Sequence, residues 1–266
     1  MSKFTDHKYL TADQYKDASN LDARIQIHNQ FSANPYGWFH WVFDRVSRLP
    51  ETAKILELGC GPGVLWKECA GRIPAGWTIT LSDLSTGMLA AAQRNVAPLG
   101  RGFEFEQMDA QSIPYHEHTF DAVIANHMLY HVPDRKKALS EIKRVLKEDG
   151  SLIATTIGES HMAEINAWIQ RASNDGRKGM FSLAFTLENG LTQLQEFFSK
   201  VEISRYADHL KVTQVEPIMA YIRSATTAAE LSEDEFVKVR KELTVTLEEE
   251  GEIYIAKDSG LFEALK

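Results

Sequence analysis

Residues 54–63 read KILELGCGPG, a short apolar strand that runs directly into a turn with glycine at every second position. Glycine at a strand-to-helix turn adopts backbone conformations that a side chain forbids, and it lets a ligand approach the main chain. The dinucleotide-binding pattern G-x-G-x-x-G would need a third glycine at position 64, where this chain has Val64. A pyrophosphate would also gain little from the carboxylate of Glu57. We therefore expect a ligand with a cationic portion at this turn.

Short strands alternate with helices from this turn to about residue 158. Strands joined by helices form parallel pairs through right-handed crossovers, so the pattern predicts an α/β fold with a doubly wound, mostly parallel, Rossmann-like sheet. A helix is expected over residues 133–150, with Gly150 as its C-terminal stop, and two antiparallel strands over 201–216 with a break at Ala207-Asp208. The expected strands of the core are 53–59, 77–83, 103–110, 119–126 and 151–158.

Carboxylates recur at the ends of the first three expected strands. Glu57, Asp83 and Asp109 follow one another at intervals of 26 residues, about the length of one strand–helix unit. Because the carboxyl ends of parallel strands meet at one edge of a sheet, these groups should line a common ligand site. Asp83 is placed to bind two ribose hydroxyls, and Asp109 is placed to accept from the exocyclic amine of a base.

The composition excludes several classes of protein. The chain has 266 residues and a formal net charge of −8, which disfavours a nucleic-acid partner. Its two cysteines, Cys60 and Cys69, are too few for a disulfide framework or a four-ligand zinc site. No apolar stretch has the length of a signal peptide or a membrane span, so we expect a cytoplasmic protein.

Five segments in order resemble the motifs of the class I S-adenosylmethionine-dependent methyltransferases: ILELGCGPG, LSDLS, MDAQSIPY, FDAVIANHMLYHVPD and RVLKEDGSLIATT. The chain is most similar to the small-molecule enzymes of ubiquinone and menaquinone biosynthesis, and the resemblance covers residues 50–160. It implies a seven-stranded sheet with an antiparallel last strand and S-adenosyl-L-methionine as the cofactor. It also implies methyl transfer to a small molecule by in-line displacement. The aromatic residues of the flanking regions indicate that this acceptor is partly apolar.

The same resemblance assigns roles to the residues at the strand ends. Glu57 and the backbone of Gly59 and Gly61 would hold the methionyl end of the cofactor, with Cys60 between them in the loop. The ribose and adenine would lie against Asp83, Leu84, Asp109 and Ala110. The backbone of Asn126 would lie near the methionyl amine.

Candidate catalytic residues follow the fourth expected strand. His127 and His131 are four residues apart, which would place them on one face if the segment were helical. With Tyr130, they would orient or deprotonate the acceptor, although a base is needed only if the acceptor must lose a proton. The alternative is that both histidines only pack or bond the backbone. A metal pair would need a third ligand, which we do not find, so no metal is expected.

The flanking regions are expected to carry the substrate pocket. We divide the chain as one domain with an N-terminal helical cap (1–50), a cofactor-binding core (51–158), a helical insertion (159–200) and C-terminal strands with a helix (201–266). The turn at 34–37 should split the cap into two helices. Arg24 is expected to face a carboxylate of cofactor or substrate. The expected pocket residues are Tyr9, Arg24, Trp38, Trp41, Trp168 and Phe181.

Other functions remain open at this point. A nicotinamide-dependent oxidoreductase is built on a similar sheet, but Val64 and Glu57 count against it. A protein or RNA methyltransferase shares the fold, and the acidic charge argues against RNA. A cofactor-binding regulator without catalysis is a further alternative. We expect a small-molecule acceptor and a monomer or homodimer.

Overall fold

A single mixed sheet organises the chain. The structure, a computed structural model, describes residues 5–17, 19–173, 183–225 and 231–266. Within them, seven strands form the sheet in the order β3-β2-β1-β4-β5-β7-β6. The strands are β1 (Lys54–Leu58), β2 (Thr78–Asp83), β3 (Glu104–Gln107), β4 (Phe120–Asn126), β5 (Leu146–Ile157), β6 (Lys200–Val212) and β7 (Ile253–Leu265).

The strand directions confirm the predicted fold class. The pairs β1–β2, β2–β3, β1–β4 and β4–β5 are parallel, and β7 runs antiparallel to both of its neighbours. The chain passes outward from β1 to β3 and then returns to place β4 on the other side of β1. The carboxyl ends of β1 and β4 therefore flank a topological switch point, where open α/β sheets bind their ligands.

Helices cover both faces of this sheet. Helix α5 begins after Ser85, whose hydroxyl accepts from the Met88 amide at 3.2 Å and so caps the helix. The N-terminal region divides at the turn over 34–37, as its proline predicts. The helices are α1 (His7–Tyr9), α2 (Ser19–Phe31), α3 (Trp38–Val46), α4 (Val64–Glu68), α5 (Thr86–Val96), α6 (Arg135–Val145), α7 (Ala163–Ala172), α8 (Gly190–Gln195), α9 (Val215–Ser224) and α10 (Glu233–Glu250). A π-helical turn, Leu10–Gln14, continues α1.

The expected pair of strands over 201–216 is wrong. Residues Lys200–Val212 form one strand, and each of its thirteen residues is paired with β7. The charge of Asp208 is neutralised within the strand, because Lys257 lies opposite it on β7 and donates to its carboxylate. The paired cation lets a charged residue remain in the middle of a strand.

The helix expected over residues 133–150 is also too long. Helix α6 ends at Val145, and Leu146 has an extended backbone and pairs with Phe120 of β4. Burial of the Leu146 side chain in the core therefore outweighs the helical pattern of the charged residues that follow. Gly150 lies inside β5 rather than at a helix end.

Three apolar clusters hold these layers together. One lies between the sheet and α6 and α8, and another between the opposite face and helices α3, α4 and α5. The last one joins β6 and β7 to α2, α7, α9 and α10. This third cluster brings the N-terminal helix α2 into contact with elements from the C-terminal third of the chain. In the described ranges, no helix has the length and apolar character needed to cross a membrane.

Candidate functional site

A cavity of about 610 Å³ opens at the carboxyl edge of the sheet, beside the switch point. Its walls include residues from β1, β2, β4 and β7 and from the N-terminal segment. All nine residues assigned to the cofactor from the sequence line this cavity: Glu57, Gly59, Cys60, Gly61, Asp83, Leu84, Asp109, Ala110 and Asn126.

The glycine turn after β1 has the backbone that its sequence predicts. Gly59, Gly61 and Gly63 all have positive φ angles, of 62°, 52° and 72°. A Cβ added at Gly59 would lie 2.8 Å from the Cβ of Met128, so a side chain is excluded there by space as well as by conformation. Burial raises the pKa of the Cys60 thiol between these glycines well above its usual value, so the thiol stays protonated.

Glu57 is a buried carboxylate at the end of β1. Trp66 Nε1 donates to its Oε2 at 2.5 Å, and Asn126 Nδ2 donates to its Oε1 at 2.9 Å. Burial raises the pKa of Glu57 to about 7, with Asp83 adding to the rise and the two donors opposing it. No lysine or arginine is among the described groups that shift this pKa. The site therefore has room for the positive charge of a ligand beside Glu57.

Asp83 ties the end of β2 to the glycine turn. Its Oδ2 accepts from the amide of Gly61 at 2.9 Å, and its Oδ1 accepts from the amide of Ser85 at 2.8 Å. Burial raises the pKa of Asp83, and the amides of Ser85 and Gly61 act in the opposite direction. Since a carboxylate oxygen has two lone pairs, each oxygen keeps an acceptor site for a ligand hydroxyl.

Asp109 lies past the end of β3, at the rim of the cavity. Its Oδ1 accepts from the amide of Gln111 at 2.9 Å, and His7 Nδ1 lies 3.8 Å from its Oδ2. The neighbouring Ala110 is buried and lines the cavity. The three carboxylates predicted from their spacing are thus brought to one edge of the sheet.

His127 has a strained backbone, with a φ of 48°. Its amide donates to the Thr155 Oγ1 at 2.9 Å and to the Thr155 carbonyl at 3.2 Å, which secures the turn to β5. The imidazole lies 5.3 Å from the Trp38 ring, between ring centroids. Burial lowers the pKa of His127 to about 4, with smaller contributions from Lys257 and Arg24. His127 is therefore neutral at physiological pH.

His131 and Tyr130 lie on a short 3₁₀ turn, Leu129–His131. The segment from His127 is not an α-helix, so the two histidines do not share a helical face as the spacing suggested. The hydroxyl of Tyr15 lies 2.9 Å from the Nε2 of His131 and fixes the orientation of that ring. Burial raises the pKa of Tyr130, which keeps its phenol protonated. All three candidate catalytic side chains line the cavity.

The expected pocket residues divide into two groups. Arg24 and Trp38 line the cavity, whereas Tyr9, Trp41 and Trp168 do not. Trp41, one turn further along α3, packs against Trp38 and Tyr206, with ring centroids 5.3 and 5.2 Å away. Phe181 lies outside the described residues.

Tyr9 and Trp168 are the two other expected pocket residues that do not line the cavity. Tyr9 lies in α1, where its amide donates to the Asp6 side chain at 3.3 Å; His7 and Leu10 on either side of it line the cavity, but Tyr9 does not. Trp168 is buried in the cluster that α7 forms with α9, α10, β6 and β7. An aromatic side chain in a helix can be buried against any apolar surface, so its presence in the sequence does not identify a ligand pocket.

Several cavity residues were missed by the sequence reasoning. They come from parts of the chain that carry no recognisable motif, and the structure alone assembles them. They are Tyr15, His28, His161, Tyr221, Lys257 and Ser259.

The N-terminal segment forms one wall of the cavity. The Ser85 hydroxyl donates to the carbonyl of Tyr15 at 2.7 Å, and Gln14 Nε2 donates to the carbonyl of Ser224 at 3.1 Å. Leu21 packs close to the glycine turn, within 3.4 Å of a Cβ built on Gly61. The segment is thereby attached both to the loop after β2 and to α9. Throughout the described ranges, no three His, Cys, Asp or Glu side chains are grouped to hold a metal ion.

Comparison with known proteins agrees with this geometry. Residues 56–154 match a family model described as a methyltransferase domain. The chain is 32% identical over 131 residues to a ubiquinone biosynthesis O-methyltransferase of Pseudomonas entomophila, covering 49% of this chain and 54% of that protein. It is also 32% identical over 129 residues to a malonyl-[acyl-carrier protein] O-methyltransferase of Legionella pneumophila, covering 48% and 45%. The chain thus spans about half the length of the curated relatives it matches.

A structural comparison extends the similarity beyond the core. The phosphoethanolamine N-methyltransferase 2 of Haemonchus contortus, solved with S-adenosyl-L-methionine, superposes with a TM-score of 0.59 at 21% identity. The match covers 100% of this chain and 60% of that one. At this identity, the likeness shows the fold alone. The fold, the glycine turn and the matched domain agree, and residues 56–154 are similar to a methyltransferase domain.

Proposed function

We propose that this protein transfers a methyl group from S-adenosyl-L-methionine to a small, partly apolar metabolite bound in the cavity. The observation that carries this proposal is the set of carboxylates, Glu57, Asp83 and Asp109, which face one cavity beside a glycine turn. The named relatives that methylate oxygen in small or carrier-bound substrates support the same class of acceptor.

The residues at this edge fit the cofactor. Glu57 is a buried carboxylate without a cationic partner in the described chain, and a ligand with positive charge would supply one. Asp83 keeps acceptor sites for ribose hydroxyls, and Gly59 and Gly61 line the part of the cavity where the methionyl end would lie. Leu84, Asp109 and Ala110 would hold the adenine. When bound, the cofactor supplies a methyl group that is already activated on a sulfonium sulfur.

The protein's part in such a reaction is alignment and exclusion of water. In our proposal, His127, Tyr130 and His131 touch the acceptor. His127, with a pKa of about 4, is too weak a base for an acceptor that ionises near pH 10, but its neutral imidazole can accept a hydrogen bond. His131 is held by Tyr15, so its ring presents a fixed direction to the cavity.

Calorimetric titration tests the cofactor assignment. We expect S-adenosylhomocysteine to bind at one site per chain and NADH not to bind. Binding of NADH alone would favour the nicotinamide-dependent oxidoreductase and overturn the proposal. The glycine turn argues against that alternative, because Val64 stands where the dinucleotide pattern needs a glycine.

Substitution tests the acceptor side. In His127→Phe, Tyr130→Phe and His131→Phe, turnover at saturating cofactor should fall in at least one variant, because each side chain borders the acceptor space. His116→Phe is the matched control, since His116 is exposed and lies outside the cavity lining. Unchanged turnover in all three cavity variants would remove these residues from the mechanism.

The remaining expectations belong to the same proposal. We propose a cytoplasmic protein that acts as a monomer or homodimer on a small molecule and has no nucleic-acid partner. The formal net charge of −8 supports the last point, because it repels phosphate backbones. The division into an N-terminal cap, a core, an insertion and C-terminal strands is likewise a proposal about domain organisation.

A further inference from the structure

Charge is unevenly distributed over the cavity wall. The carboxylates among the described lining residues come from β1, β2, α4 and the segment after β3, which together form the cofactor edge. The lysine and arginine that line it are Arg24 from α2 and Lys257 from β7, on the wall built by the flanking regions. One wall is therefore suited to a cation and the other to an anion.

Lys257 already has a counterion. Its Nζ donates to the carboxylate of Asp208, and it lies 3.5 Å from the hydroxyl of Ser32. The side chains of Lys257 and Asp208 are 6% and 0% exposed, so this is a buried ion pair that is neutral as a unit. Lys257 therefore adds little net charge to the cavity.

Arg24 is in a different situation. Its Nε donates to the carbonyl of Asn20 at 3.3 Å, but its Nη2 is buried without a hydrogen-bond partner in the described chain. Another part of the guanidinium is hydrogen-bonded to the Tyr15 side chain, and the guanidinium carbon lies 5.5 Å from the centre of the Tyr15 ring. A buried guanidinium nitrogen without an acceptor is costly, which marks a position where a ligand belongs.

His28 repeats this pattern one turn further along α2. Its Nδ1 is also buried without a partner in the described chain, and its side chain lines the same cavity. Burial lowers the pKa of His28 well below its usual value, so the ring is neutral and carries one N–H. Residues four apart share a helical face, so Arg24 and His28 can present two donors to one group.

Protonated phenols surround this pair. Tyr130 and Tyr221 line the cavity, and burial raises the pKa of Tyr221 to about 12. The Tyr221 ring lies 6.1 Å from the His28 ring, between ring centroids. A protonated phenol donates a hydrogen bond readily to an oxyanion. The wall thus combines a cation without a carboxylate partner with neutral donors.

We propose, on the basis of the proposed methyl transfer, that the acceptor carries an oxyanion group, either a carboxylate or a phosphate ester, and that Arg24 and His28 bind this group. The acceptor's nucleophile would then lie between this anchor and the cofactor edge, next to His127 and Tyr130. The arrangement disfavours cationic acceptors, because Arg24 would repel them.

The cofactor's own carboxylate is a competing occupant. The groups acting on Glu57 are Trp66, Asn126 and Asp83, and Arg24 is not among them. The charge of Arg24 instead lowers the pKa of His127 and His28, on the acceptor side. These neighbours favour the acceptor as the ligand of Arg24.

The test uses simple probes on the protein saturated with S-adenosylhomocysteine. Benzoate and phenyl phosphate represent the two oxyanions, and benzyl alcohol and benzylamine are their neutral and cationic counterparts. We expect calorimetry to show saturable binding of at least one anion and none of the other two probes. The anion that binds more tightly identifies the group.

Variants then locate the binding site. Arg24→Gln should weaken anion binding about tenfold or more, as expected for loss of a charged hydrogen-bond donor, and His28→Phe should weaken it less. Arg24→Lys keeps the positive charge, and its affinity for the anion should lie between those of wild type and Arg24→Gln. It replaces Arg24→Gln in the test if the glutamine variant does not fold. Arg94→Gln, at an exposed arginine of α5, is the matched control and should bind like wild type.

Each contrary result has its own meaning. Equal anion affinity in wild type and Arg24→Gln, or no saturable anion binding to wild type, would overturn the inference. If Arg24→Gln instead weakened S-adenosylhomocysteine tenfold while 5′-methylthioadenosine bound normally, Arg24 would hold the cofactor's carboxylate and the inference would be wrong. Failure of wild type to bind either adenosyl compound would contradict the proposed methyl transfer itself.

Discussion

Lowering the pH from 8 to 6 should weaken binding of S-adenosylmethionine, and Glu57 should cause the change. The pKa of Glu57 is raised to about 7 by burial, so the side chain is largely protonated at pH 6. A cationic ligand beside it favours the carboxylate. Below pH 7, binding must therefore release a proton, and affinity falls as the pH falls.

The size of the effect follows from this pKa. If only the ionised form binds, the apparent Kd scales with 1 + 10^(pKa − pH), a factor of about 11 at pH 6 and about 1.1 at pH 8. We expect a loss of about tenfold, or about 1.4 kcal/mol, between these conditions. Calorimetry at constant ionic strength measures the Kd and also the proton uptake or release, from the dependence on buffer ionisation enthalpy.

Two variants isolate the residue responsible. Glu57→Gln should bind more weakly at pH 8 and show little pH dependence, because the titrating group is gone. Glu68→Gln removes an exposed carboxylate that also lines the cavity, and it should keep the wild-type pH profile. The same tenfold dependence in Glu57→Gln as in wild type would refute the assignment, since another group would then be titrating.

Two further substitutions test the glycine turn and the ribose site. Asp83→Asn should weaken cofactor binding by about 1–3 kcal/mol through loss of a charged acceptor. The remaining oxygen of the side chain can still accept from one backbone amide, so the turn should be kept. If calorimetry shows wild-type affinity, Asp83 does not bind the cofactor. Gly59→Ala should lower the free energy of unfolding by about 1–2 kcal/mol for the left-handed backbone alone, plus the clash with Met128. Denaturant titration of Gly59→Ala and of the double variant with Met128→Ala separates the two costs, and an unchanged midpoint would contradict both.

Local patterns were sufficient to predict the core of the fold and the carboxylates at one edge of its sheet. Glu57, Asp83 and Asp109 recur at a fixed interval because one strand–helix unit has a nearly constant length, and parallel strands bring their ends to one edge. The glycine turn could be read in the same way, because a positive φ selects glycine at the residue itself. In both cases the residues that carry the pattern are close in the chain to the structure that they specify.

Errors arose where long-range contacts overrode local patterns. Asp208 looked like a turn residue, but Lys257, 49 residues later, neutralises it inside a strand. Leu146 continued a helical pattern, but pairing with Phe120 makes it the first residue of β5. Trp41 and Trp168 suggested a pocket, and each is instead used in packing. In every case the decisive partner is distant in the chain.

The sequence by itself determined the resemblance to methyltransferases, the sheet and the row of carboxylates at the sheet's carboxyl edge. The proposed acceptor wall was decided only by the tertiary structure, which brings Arg24 and His28 of α2, Tyr221 of α9 and Lys257 of β7 to one cavity. The physical reason is that a buried nitrogen without a partner is a property of its surroundings. Arg24 looks like any helical arginine until packing buries its Nη2 and, among the described residues, leaves that nitrogen without an acceptor.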